Sequence, residues 1–129
     1  MKRTPQMILA IRAFIHLVRY DVSNTVFGFS RIHKQVAARK VAARMPGSGM
    51  ESAICDAVAL AACFYWRPVL CLQRSVAATL LLRKYGIDGK LVIGYRPSPF
   101  FSHAWVEVEG RVVNDSPGYK ARLQVLSTV

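Results

Sequence analysis

The chain has 129 residues, 53% hydrophobic and 19% charged, a balance that excludes a disordered polymer and suits one domain with its own core. Its net charge of +11 is uneven: residues 1–46 carry nine Lys/Arg against one acid, and residues 47–129 carry nine against six. The excess of +8 in the first third points to an acidic partner or to a solvated basic face.

In chain order, residues 7–18 are mostly apolar, but Arg12 and His16 interrupt them and no small-x-small site follows cleanly. That reads against a signal peptide, and the run is too short and too charged to span a bilayer. The spacing predicts a helix over 5–20, with Pro5 in its first turn and Ile8, Ile11, Ile15 and Val18 as its apolar stripe. Such an amphipathic helix is expected to dock on the domain, a partner or a membrane surface. Residues 21–30 read as a connection. A second helix is expected over 31–44, capped by Ser30, with Ile32, Val36 and Val41 as a thin stripe.

Met45-Pro46-Gly47-Ser48-Gly49 is the clearest break, dividing a basic helical N-terminal arm (1–46) from a core (47–129). Ser48 and Glu51 match a capping box opening a helix to about Trp66, with Ile54, Val58, Ala61 and Tyr65 inward. Cys55 and Cys63 on this helix read as small buried hydrophobes. Arg67-Pro68 ends it. The next helix runs over 69–85, apolar on most sides. Gly86 suits the left-handed residue past its end, and Arg83 and Lys84 complement its negative pole. The period then changes. Residues 91–95, 101–108 and 111–115 read as strands, 96–99 as a loop, 116–118 as a turn and 121–129 as an edge strand. Helices followed by strands make the fold class α+β.

Three cysteines are an odd number, and no Cys-x-x-Cys occurs. A disulfide framework and a structural zinc are therefore not expected, and a reducing cytoplasm fits best. No metal or cofactor is called for. Cys71 falls in the first turn of the buried helix, where free N–H groups and the positive dipole end favour a thiolate and can receive an oxyanion. Ser75 and Ala78 lie on the same face and let a sheet approach closely. His103 and Asp115 sit on two arms of one hairpin. They oppose each other if the loop is Val108-Glu109-Gly110, with Gly110 in a left-handed position. A two-residue Glu109-Gly110 loop would oppose Asp115 to Ala104 instead, on the other face, and Glu-Gly suits that turn poorly. The three-residue loop is therefore expected, with Trp105 beside Val113 walling the site. Thiolate, imidazole and carboxylate would form a Cys-His-Asp triad, in the chain order of papain-like and transglutaminase-like folds.

Cys71-Leu72-Gln73-Arg74-Ser75, Leu80-Leu81-Leu82-Arg83-Lys84-Tyr85-Gly86, Leu91-Val92-Ile93-Gly94, His103-Ala104-Trp105-Val106-Glu107-Val108-Glu109-Gly110 and Asn114-Asp115 together resemble the transglutaminase-like leader peptidases of lasso-peptide biosynthesis. The resemblance covers about residues 60–116. It implies an enzyme that cuts the leader from a ribosomally made precursor, freeing the core peptide for a separate ATP-dependent cyclase. Cys71, His103 and Asp115 match the family's catalytic positions. In some members a leader-binding domain precedes the peptidase. The first 46 residues are too short and too helical for one, which resembles the stand-alone type and implies a separate leader-recognition protein. The basic arm would dock that protein, the cyclase or an acidic stretch of leader. Trp66 could offer its indole N–H to the oxyanion, and Arg74, one turn after Cys71, could bind a substrate carboxylate; packing and an internal ion pair are their plainer roles. Two other classes compete. A transglutaminase or arylamine acyltransferase uses the same triad but passes the acyl group to an amine. A non-catalytic basic module would bind nucleic acid or a membrane, although no aromatic-interleaved basic strand supports nucleic acid.

Overall fold

A computed structural model describes residues 3–43, 45, 49–114, 118 and 122–129, with residues 3–5 as backbone only. Among them are four helices, α1 (Arg3–Val26), α2 (Phe29–Ala38), α3 (Met50–Phe64) and α4 (Cys71–Lys84), followed by four strands, β1 (Gly89–Pro97), β2 (Phe100–Val108), β3 (Arg111–Val112) and β4 (Gln124–Thr128). The strands form one antiparallel sheet in the order β3-β2-β1-β4. The α+β class is as expected.

The helices differ from the sequence reading chiefly at their ends. α1 runs on through residues 21–26, which had read as a connection, and α2 is capped at Gly28, not Ser30, and stops at Ala38. Gly28 has φ +84, a conformation that Ser30 would adopt only with strain. Gly49 caps α3 with φ +75 and Glu51 falls in the first turn; Ser48 lies outside the described residues.

α1 buries a different set of residues from the one expected, and of the expected stripe only Val18 packs against the core. Leu9, Ala13 and Leu17 are 0–3% exposed, whereas Ile8, Ile11 and Ile15 are 44–58% exposed. Both faces are apolar, so periodicity alone cannot choose between them. Ala13 lets α1 approach α3 and α4 closely, and the main-chain oxygen of Leu17 receives hydrogen bonds from Tyr65 Oη (3.2 Å) and Gln73 Nε2 (3.0 Å). Leu9, Ala13 and Leu17 join Ile54, Val58, Ala61, Leu81, Leu82, Val106 and Val108 in the main core. Ile54, Val58, Ala61 and Tyr65 face inward as expected, but Cys63 is exposed.

α4 lies across the sheet. Val76 packs with Leu91 and Ala104, and Leu82 touches Gly89, where a Cβ would come within 3.0 Å of the leucine. Strand alternation therefore turns Gly89, Leu91, Ala104, Val106 and Val108 toward the helices. Val92, Trp105 and Leu123 form a separate cluster on the other face. Gly94 makes room for that cluster: a Cβ there would sit 2.6 Å from the Trp105 ring.

The end of α4 is held by a buried cation. Arg83 is 4% exposed and donates to the carbonyls of Gly89 (2.9 Å), Arg39 (3.1 Å), Val129 (2.8 Å) and Val36. One guanidinium thus joins the end of α2, the start of β1 and the residue after β4. The left-handed Gly86 follows, with its N–H on the Arg83 carbonyl and the Ile87 N–H on that of Leu82.

Candidate active site

Cys71 is the first residue of α4. Leu70 precedes it in an extended conformation and supplies no side-chain cap. The N–H groups of the first turn therefore point past the helix end with no cap from that residue, the arrangement that stabilises a developing anion. The Cys71 side chain is half-buried and packs against the cluster of Ile32, Val36, Val76, Leu91 and Ala104. The other thiols sit in different surroundings. Burial, then the carboxylates of Glu51 and Asp56, pushes Cys55 up to about 11, so it stays a neutral thiol at physiological pH. Cys63 is on the solvent face of α3.

Ser75, one turn after Cys71, ties this helix start to the sheet. Its hydroxyl donates to the Ala104 carbonyl (3.2 Å) and accepts from Asn114 Nδ2 (3.1 Å). Asn114 Oδ1 in turn accepts the Val106 N–H (2.9 Å). The residue next to His103 is thus pinned beneath the first turns of α4. α4 runs alongside β2, with Ser75 at Ala104 and Leu82 at Gly89, the partner of Val108. Cys71, one turn further back, reaches the level of residues 102 and 103 along the strand.

His103 pairs with Gly94 across β1. Its ring shares a face with Phe101 (centroids 6.1 Å) and Trp105 (6.3 Å), the face turned from α4. The structure thus brings Cys71 and His103 to one end of the sheet on opposite faces of β2. Asp115 lies outside the described residues.

The hairpin register differs from the one expected. Val108 pairs with Arg111 and Glu107 with Val112, so the loop is the two-residue Glu109-Gly110. Glu109 (φ 52) and Gly110 (φ 78) are both left-handed, as a type I′ turn requires. The cost of that conformation at Glu109 is offset by the turn's match to the strand twist. Trp105 accordingly does not pair with Val113. It lies opposite Val92, its indole donates to Glu107 Oε2 (2.9 Å), and Val113 pairs with Val106 on the helix face. The ladder stops there, because the Asn114 side chain replaces the backbone at the Val106 N–H.

Trp66 is 65% exposed and stacks on Tyr65 at 4.1 Å. Arg74 lines a cavity of about 190 Å³ with Cys55, Asp56, Val113 and Asn114, and its Nε is buried with no hydrogen-bond partner among the described residues. Tyr20 is a site residue that the sequence reading did not single out. It packs on the same cluster as Cys71, and its hydroxyl pKa is raised by burial, by Asp21 and by Cys71. Its position in a predicted helix gave no sign that it would meet a cysteine fifty-one residues later. Among the described residues no group of three or more His, Cys, Asp or Glu is placed to hold a metal ion, and no helix is long and apolar enough to cross a membrane.

Comparison with known proteins agrees with this architecture. A stretch of 59 residues, 46% of this chain and 28% of the relative, is 46% identical to the microcin J25-processing protein McjB of Escherichia coli. The chain therefore matches less than a third of that protein's length. No solved structure gives a significant match. The profile of the transglutaminase-like superfamily matches residues 14–128, which takes in most of α1 and every other element described above. The chain belongs to the transglutaminase-like superfamily.

Proposed function

We propose that the chain is a cysteine peptidase that removes the leader from a lasso-peptide precursor, with Cys71 as nucleophile, His103 as base and Asp115 as the acid that orients the imidazole. The observation that carries this reading is the place of Cys71: first residue of an uncapped helix, tied by Ser75 to the strand residue after His103. The similarity to a microcin J25-processing protein supports the substrate class.

His103 takes the Cys71 proton, and the thiolate attacks the scissile carbonyl. The oxyanion is received by N–H groups at the start of α4. The imidazolium then gives its proton to the departing amine, which is the new N-terminus of the core peptide. Water, deprotonated by His103, opens the thioester and frees the leader as a carboxylate. His103 stands at the end of β2 that its ladder with β3 does not reach, and to meet the thiol its ring, which stacks with Phe101 and Trp105 on the face turned from α4, must cross that strand edge. Asp115 follows Asn114, whose side chain is already held by Ser75 and Val106.

The test is cleavage of a leader–core precursor, with the leader-recognition protein present, followed by mass spectrometry. Cys71→Ala is expected to reduce cleavage by at least about a thousandfold with unchanged circular dichroism. Retained cleavage would overturn the assignment, and a leader product ending in an amide in place of the carboxylate would show acyl transfer.

A further inference from the structure

The densest positive charge lies away from Cys71, in a cleft between α1, α2 and α4. Two adjoining cavities of about 480 and 280 Å³ share His16, Arg19 and Arg39. The larger adds Tyr20 and Lys40, and the smaller adds Arg12 and Lys84. Five Lys or Arg side chains thus line these two adjoining cavities, and no Asp or Glu is among the described residues lining them. The field has a marker within the wall: His16 is held down to about 4, by burial first and then by Arg19, Arg39 and Lys84. A partner bringing negative charge would relieve that repulsion.

The shape decides between kinds of anion. Arg12 and Arg19 are two turns apart on α1, roughly 10 Å along its axis. Lys40 lines only the larger cavity and Arg12 and Lys84 only the smaller, so a single phosphate would engage only part of the set. Between the cations the walls are apolar, with Ile15, Ile32, Val76 and Leu80. The cleft suits an extended ligand carrying several separate carboxylates and apolar side chains between them. Ile15 also belongs to the exposed stripe of Ile8, Ile11 and Val22, so an apolar ridge continues along α1. Tyr20 lines the cleft at one end and meets the environment of Cys71.

We propose that this cleft binds an acidic stretch of the substrate polypeptide and leads it past Tyr20 to Cys71. The ligand class follows from the cleft alone; its identity as substrate rests on the peptidase reading. Charge reversal in the cleft weakens binding through separate contacts, each screened by salt over about 10 Å at 0.1 M.

The experiment uses the full chain and a fluorescent peptide of about a dozen alternating Glu and Leu residues, read by anisotropy. Arg19→Glu and Lys84→Glu, both at exposed positions, should each weaken binding at least about fivefold, and a Lys/Leu peptide should not bind. Lys90→Glu, on β1 outside the cleft, makes the same change in net charge and should leave affinity unaltered. Equal loss in Lys90→Glu would overturn the site, as would binding to phosphatidylglycerol vesicles without binding to the peptide. Displacement of the peptide by inorganic phosphate at equal concentration would overturn the extended ligand. Circular dichroism checks folding, and Arg19→Gln, which removes the charge without reversing it, should give a smaller loss in the same direction; unchanged binding in a folded Arg19→Gln would overturn the role of that residue. Binding is read without turnover, so its failure leaves the Cys71 assignment standing, and inactivity of Cys71→Ala says nothing about the cleft.

Discussion

The two ends of α4 are built for different purposes. At the C-terminal end the chain is closed off: Arg83 binds four carbonyls, and Gly86 turns the backbone so that its own N–H and that of Ile87 satisfy two more. At the N-terminal end Leu70 gives no cap, Cys71 is half-buried, and the ties to the sheet are the hydrogen bonds of one serine and one asparagine. Stability is concentrated where the helix stops, and the start carries no side-chain cap from Leu70. A helix start saturated by a capping side chain would have fewer N–H groups for an oxyanion.

Substitutions can break this contrast. Arg83→Leu should have the largest effect on stability, about 3–5 kcal/mol, because it strands buried carbonyls on three elements at once. Urea unfolding measures it, and a loss below about 1 kcal/mol would show that the carbonyls find other donors. Burial of His16, and then the cations Arg19, Arg39 and Lys84, make the same end sensitive to acid. His16 titrates near 4 in the folded chain against an ordinary 6.5, so between those values the unfolded chain binds more protons. Its contribution is complete above pH 6.5 and is lost as pH falls toward 4, on the order of 3 kcal/mol in all. His16→Gln should flatten stability across that window, as followed by thermal melts from neutral to acid pH.

At the opposite end, Asn114→Ala should cost about 1–2 kcal/mol by freeing the Val106 N–H and one Ser75 bond. It should also lower the rate of cleavage more than it raises KM, which loss of stability alone would not do. The smallest effect is expected at Arg111. Its pair with Glu51 is two-pronged (3.1 and 3.2 Å) but solvent-exposed, and Arg111→Ala should leave the unfolding midpoint unchanged in salt. A clear shift would mean that the fringe of the closed end bears load.

The elements legible in the sequence were those with one apolar face and clear stops. α3 has one buried stripe and α4 is buried on most sides, with a proline break between them and a glycine after the second; Ile54, Val58, Ala61 and Tyr65 were read correctly as inward, whereas Cys63 is exposed. The hairpin register was not legible. Val112 and Val113 are consecutive, so a slip of one residue still places a valine on each face, and Glu109 is a poor residue for a left-handed turn. The Asn114 bond to Ser75, the Val113 contact with the core and the Arg111 pair with Glu51 select the observed register; all three depend on chain brought from elsewhere. The same reason lies behind Tyr20, whose proximity to Cys71 exists only once α1 has packed on α4.

By itself the sequence determined the class of fold, the helix that carries a cysteine in its first turn, and the excess of positive charge in the first third. These follow from local period, turn residues and composition, which act over a few positions. Tertiary structure decided which apolar face of α1 is buried, that Arg83 binds carbonyls inside the protein, and that scattered cations converge on one cleft. Those outcomes depend on distances between residues far apart in the chain, set by how closely small residues such as Ala13 and Ser75 let the elements approach. Cys71 was legible as a residue at a helix start; its place beneath the strand that carries His103 came only with the packing of α4 on the sheet.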